Sequence, residues 1–135
     1  MLLKSIKLHN IRSYEDAEIS LPSGSVLLAG DIGSGKTTIL LAIEYALFGL
    51  QPGQRGSAIL ANGKDYGEVV LVFEIGDKEI TIERAIKRNN KSISQDFAAI
   101  VIDNERIESS VSEIKTKILE ILQYPQEFIR KNNVL

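Results

Sequence analysis

Gly30-Asp-Ile-Gly-Ser-Gly-Lys-Thr37 satisfies G-x-x-x-x-G-K-[ST] at every fixed position. A short glycine-rich pattern also occurs in ordinary turns, so the flanking residues decide how to read it. Upstream, Pro22-Ser-Gly24 is a turn signal, and Ser25-Val-Leu-Leu-Ala29 is a short apolar run that reads as a buried strand. Downstream, Thr38 to Phe48 is apolar nearly all round and reads as a buried helix with Gly49 as its C-cap. Strand, glycine loop and helix is the order that a phosphate-binding loop requires. Glycines at 30, 33 and 35 let the backbone turn tightly and bring its N–H groups to phosphate oxygens, at the positive end of the following helix. Lys36 then reaches the β- and γ-phosphates, the Thr37 hydroxyl is placed to ligate Mg²⁺, and Thr38 is placed to donate to the α-phosphate. The expected ligand is a nucleoside triphosphate.

Composition sets the frame around this loop. A chain of 135 residues, 44% hydrophobic and 25% charged, suffices for one compact domain and not for two. The formal net charge of −2 provides no global basic field, so nucleic-acid contact would need a local patch or further chain. With no cysteine, disulfides and thiolate metal sites are excluded. The N-terminus lacks the long apolar segment of a signal peptide. The most apolar run, Thr38 to Leu50, is too short to span a bilayer. The expectation is a cytoplasmic protein without membrane contact.

The remaining sequence reads as strands followed by a helix. Leu2, Ile6 and Leu8 share one face of a first strand, while Leu3, Ser5, Lys7 and His9 occupy the other. His9 is the single histidine and has no carboxylate at a suggestive spacing, which favours a solvated strand residue. Ala17, Ile19 and Leu21 define a second strand. Gln51 to Ser57 is a loop, and Asn62-Gly-Lys-Asp65 is a polar turn. Glu68 to Ile75 and Lys78 to Ile86 are strands joined by Gly76-Asp77, the second placing Ile80, Ile82 and Ile86 on one face. Lys87-Arg-Asn-Asn-Lys91 reads as a basic hairpin loop, with a DNA-phosphate contact as the alternative. Phe97 to Ile102 is a further strand. Ser110 and Glu113 form a capping-box pattern before a helix to about Gln123, whose stripe is Val111, Ile114, Ile118 and Leu122.

Ala98-Ala-Ile-Val-Ile-Asp-Asn-Glu105 invites comparison with the apolar strand, acidic at its end, that holds Mg²⁺ and water in phosphate-loop ATPases. Asp103-Asn104 is, however, a turn signal between two β-like runs, so an antiparallel hairpin explains the segment more economically.

Three segments in this spacing resemble a known group: Asn10-Ile-Arg-Ser-Tyr14, the loop from Gly30 to Thr38, and Ala42-Ile-Glu-Tyr-Ala-Leu-Phe-Gly49. The chain looks like the N-terminal lobe of an ABC-type ATPase head from the SMC-like DNA-repair proteins, closest to the Rad-fifty/SbcC double-strand-break-repair branch. Ile82-Glu-Arg84, Ser112-Glu-Ile-Lys115 and Leu122-Gln-Tyr-Pro125 extend the likeness over nearly the whole chain. The resemblance implies an α/β fold, a P-loop ABC-type lobe in which a mixed sheet with an antiparallel β region packs around the phosphate-loop helix. It also implies that Arg12 and Ser13 approach the phosphates, that Ile32, Gly33, Ser34, Gly35, Lys36, Thr37 and Thr38 wrap them, and that Ala61 and Asn62 touch the base. Ile32 stands where many relatives carry Asn, so only its backbone can donate there.

The implied activity is Mg²⁺-dependent ATP hydrolysis in the complete head, with Lys36 stabilising charge and a general base supplied from elsewhere. The implied partners are the C-terminal lobe of the same protein, a second head in a homodimer, an Mre-eleven/SbcD-type nuclease and double-stranded DNA. No signature segment of the L-S-G-G-Q kind and no heptad run for a coiled coil occurs in these residues. Residues 1–135 are therefore expected to be one incomplete lobe with little turnover of its own. A RecF-type recombination ATPase, a transporter ABC cassette and a non-hydrolysing nucleotide-binding module remain as alternatives.

Overall fold

A computed structural model describes residues 2–21, 36–50, 55–90 and 92–122. Its elements are β1 (Leu2–Ile11), β2 (Tyr14–Ser20), helix α1 (Lys36–Phe48), a single 3₁₀ turn (Gly56–Ala58), β3 (Tyr66–Ile75), β4 (Lys78–Asn89), β5 (Ser92–Ile102), β6 (Glu105–Ser109) and helix α2 (Val111–Ile121). The strand expected at 25–29 and the glycines of the phosphate loop lie outside the described residues.

The six strands form one sheet in the order β2-β1-β3-β4-β5-β6. Every neighbouring pair is antiparallel. Short turns join β1 to β2 and join β3, β4, β5 and β6 in succession, whereas α1 and the 3₁₀ turn separate β2 from β3, which lie on either side of β1. Gly76 closes the β3–β4 hairpin at φ +62°, and Asp103 and Asn104 close the β5–β6 hairpin at +49° and +71°. Two successive positive φ values are what a two-residue hairpin turn needs to follow the twist of its strands. With Ile102 paired to Glu105 across this turn, Asp103 and Glu105 belong to an exposed hairpin end.

Strand lengths depart from the sequence reading. Lys87, Arg88 and Asn89 are not a loop: they continue β4 and pair with Ser94, Ile93 and Ser92. β5 accordingly begins five residues before Phe97. In β1 the pairing register shifts between Leu3 and Ser5, so Leu3 packs against the core while Leu2 is exposed, the reverse of simple alternation.

One face of the sheet carries both helices. α1 lies against β1, β3 and β4, and α2 covers β5 and β6 beside α1. Ile6, Leu8, Val69, Leu71, Phe73, Ile80, Ile82, Ile86 and Ile100 meet Ile39, Ala42, Tyr45 and Ala46 of α1 and Ile114, Ile118 and Leu119 of α2. Each such aliphatic side chain contributes about 1.5–3 kcal/mol on leaving water. α2 starts at Ser110, whose Oγ accepts from the Glu113 amide at 3.1 Å, satisfying an otherwise unpaired helix-start N–H. α1 stops at Gly49, where φ is +73° and the amide donates to Tyr45 O at 2.8 Å.

Among the described residues one charged side chain is in this core. Arg84 shares the inward face of β4 with Ile80, Ile82 and Ile86 and is fully buried. Its Nε donates to Ala46 O at 2.7 Å, at the negative end of α1. Burial pulls its pKa down to about 10.

Candidate nucleotide-binding site

The Asn10-Ile-Arg-Ser13 turn between β1 and β2 is where the backbone is least ordinary. Asn10 and Arg12 both adopt positive φ, +52° and +51°. Asparagine tolerates this region, whereas arginine does so at a cost that surrounding contacts must offset. Those contacts come from the segment after the 3₁₀ turn. Arg12 N donates to Ile59 O at 2.9 Å, Ala61 N donates to Asn10 O at 2.9 Å, and Ile11 bridges to Leu60 between them. Asn10 Nδ2 also donates to Tyr66 O at 3.0 Å. The close approach needs a residue without Cβ at 67, since a Cβ on Gly67 would lie 2.9 Å from Asn10 O and 3.1 Å from His9 O.

This turn forms one wall of a cavity of about 670 Å³, lined by Arg12, Ser13, Thr38, Ser57, Ala58, Leu60, Asn62 and Arg88. Four distant stretches of sequence thus meet: the Asn-Ile-Arg-Ser turn, the first turn of α1, the segment from Ser57 to Asn62, and the end of β4 at Arg88. Thr38 is buried at 3% exposure, and Thr37 beside it is exposed. Lys36 begins α1. Arg12 Nη1 donates to Ala58 O at 3.3 Å, which holds the guanidinium along the cavity wall.

Of the residues expected at the site, Arg12, Ser13, Thr38 and Asn62 line this cavity. Ala61 does not. It is buried, with its amide committed to Asn10 O, so it shapes the wall from behind. Ile32, Gly33, Ser34 and Gly35 lie outside the described residues. The sequence reading passed over Ser57, Ala58 and Arg88 as site residues. Arg88 reaches the cavity because β4 runs three residues beyond Ile86, an extension that the local pattern did not signal.

Among the described residues the lining holds two guanidinium groups, several hydroxyl or amide donors and no carboxylate. Of these, Arg12 with the Ser13 and Thr38 hydroxyls is the set that suits a polyphosphate. Among the described residues no group of three His, Cys, Asp or Glu side chains is arranged to hold a metal ion. The exposed Thr37 hydroxyl at the helix start fits a cation that arrives with phosphate oxygens rather than one held in a protein cage.

His9 does have a carboxylate, which the sequence reading missed because it lies across the strand pair. The β1–β2 register sets His9 opposite Asp16, and Nδ1 lies 2.7 Å from Asp16 Oδ1. The pair is on the exposed side and does not line the cavity.

A family model described as "AAA domain" matches residues 5–134. The chain is 33% identical over 118 residues to the "DNA double-strand break repair Rad50 ATPase" of Thermoplasma volcanium, covering 87% of this chain and 13% of that protein. The fold is similar to a structure of "the recombination mediator protein RecF-ATPrS in RecFOR pathway", with TM-score 0.60 and 23% identity, covering 83% of this chain and 29% of that one. It is also similar to the "SMC head domain from Thermotoga maritima", with TM-score 0.51 and 22% identity, covering 87% of this chain and 42% of that one. Among the described residues no helix is long and apolar enough to cross a membrane.

Proposed function

The chain belongs to the AAA-domain family, and from that membership we propose that it is the ATP-binding lobe of a Rad50-type DNA-repair ATPase head. The observation that carries this reading is the cavity in which Arg12 and Ser13 face Thr38 at the start of α1, immediately after the Gly-x-x-x-x-Gly-Lys-Thr motif. The motif supplies backbone donors and Lys36 for the phosphates. Arg12 adds a second cation at the cavity wall, and the start of α1 adds its dipole.

In this reading Ile32, Gly33, Ser34 and Gly35 wrap the phosphates through their amides, and Thr37 and Thr38 contribute hydroxyls. Thr37 would hold a Mg²⁺ arriving with ATP, and the cation would supply neutralisation of phosphate charge there. Lys36 stabilises the charge that grows on the transferred phosphoryl group. The described residues place no carboxylate on the cavity wall, so the general base comes from a second lobe of the same protein. Two heads then close on ATP as a homodimer. Hydrolysis reopens them and couples nucleotide state to double-stranded DNA and to an Mre-eleven/SbcD-type nuclease. The expected location is the cytoplasm. The chain spans about an eighth of the Rad50 relative's length, so the rest of that machinery is assigned to other parts of the protein.

The test is Mg·ATP hydrolysis by this chain alone and after co-expression with the C-terminal segment of its own gene, with Lys36→Ala as control. Turnover only in the mixture, abolished by the substitution, is the expected result. Equal turnover by the isolated chain would contradict it and would turn attention to Asp103 and Glu105.

A further inference from the structure

We propose that Arg88 is a positioning residue of the nucleotide cavity: it clamps the Asn62–Asp65 turn and thereby sets affinity for the nucleoside part of the ligand. The inference rests on the nucleotide reading above and adds a residue to it.

Arg88 grips that turn twice. Its backbone amide donates to Asp65 O at 2.8 Å, and its Nε donates to Lys64 O at 3.1 Å. The turn is otherwise held by its own Lys64 N to Ala61 O bond at 3.1 Å and, at its start, by Ala61 N on Asn10 O. Gly63 within it has φ +80° and open space around its Cβ position. Nothing else among the described hydrogen bonds ties Lys64 and Asp65 to the sheet. The ion pair with Asp65 is long, 3.9 Å, and that carboxylate is 90% exposed, so it adds little.

In the nucleotide reading Thr38, at the start of α1 and next to Lys36 and Thr37, takes the phosphates. Asn62 and Arg88 line the same cavity, and in that reading Asn62 is the residue that meets the base. Nε is committed to Lys64 O, which orients the planar fork, and among the described residues no acceptor takes a hydrogen bond from its Nη groups. Removing the fork leaves the backbone bond to Asp65 O but frees Lys64 O, which loosens the turn that carries Asn62, so the nucleoside loses a firm wall while the phosphates keep theirs.

The full-length gene product separates these contributions if binding of ATP is compared with binding of inorganic tripolyphosphate. Arg88→Ala is expected to weaken ATP about tenfold while leaving tripolyphosphate within about twofold. Lys36→Ala is expected to weaken both. Retained tripolyphosphate binding also shows that the variant is folded at the site. Arg88→Lys keeps the charge without the fork and is expected to behave like the alanine variant. Equal loss of both ligands on Arg88→Ala, no loss of either, or full recovery by lysine would each overturn the positioning role. Failure of the unsubstituted protein to bind either ligand would instead remove the nucleotide reading on which it rests.

Discussion

Tyr45 places its hydroxyl between α1 and the sheet, donating to Ala85 O at 3.1 Å. Burial pushes its pKa up to about 12, with the nearby Arg84 charge pulling the other way. In the unfolded chain the same phenol ionises near pH 10, so the folded form holds its proton longer. Its contribution to stability is whole below pH 10 and is lost as pH rises toward 12. Tyr45→Phe should cost about 1 kcal/mol at neutral pH and should flatten the loss of stability on the alkaline side, both measured by denaturant unfolding at several pH values. At Gly67 the constraint is steric: an added methyl group meets two backbone oxygens that cannot swing away. Gly67→Ala should destabilise by about 1–3 kcal/mol, and should weaken ATP binding because the Asn10–Ser13 turn must shift. Such residue-level facts were only partly legible in the sequence. The glycine-lysine-threonine motif and Arg12 could be read directly, since their chemistry is local. Arg84 could not, because a charged residue in an alternating strand gives no sign that its inward position will be fully buried against a helix end.

The helices and hairpins show the same division between local and distant causes. Capping by Ser110 was legible because Ser110 and Glu113 sit at the required spacing before an apolar stripe. Ser110→Ala should cost about 1 kcal/mol, read as a lowered thermal midpoint with no change in ATP affinity. The β5–β6 turn holds Asn104 at φ +71°. Asn104→Gly gives the Asp-Gly pair that such a turn favours and should stabilise by about 0.5 kcal/mol. The β4–β5 hairpin was legible only in part. The apolar positions of β4 end at Ile86 and the charged run 87–91 begins there, so the hydrophobic pattern stops while the pairing continues, with the register shift taken up on β5 between Gln95 and Phe97. Correcting that boundary brought Arg88 from a hairpin loop to the cavity wall.

At the scale of the molecule, the sheet holds the Asn-Ile-Arg-Ser turn on one strand connection, while α1, packed across β1, β3 and β4, sets the helix start beside it. The site is the product of that packing, because the lining residues are separated by up to 76 positions, from Arg12 to Arg88. The family could be read from short motifs, on which the proposed phosphate chemistry also rests, whereas the shared wall of Arg12, Asn62 and Arg88 depends on long-range strand pairing. The most direct measurement is residue-resolved amide chemical-shift mapping of the chain on titration with Mg·ATP. The account predicts shifts concentrated at Arg12, Ser13, residues 33–38, Asn62 and Arg88, and absent in Lys36→Ala. No response, or a response centred on Asp103 and Glu105, would contradict it.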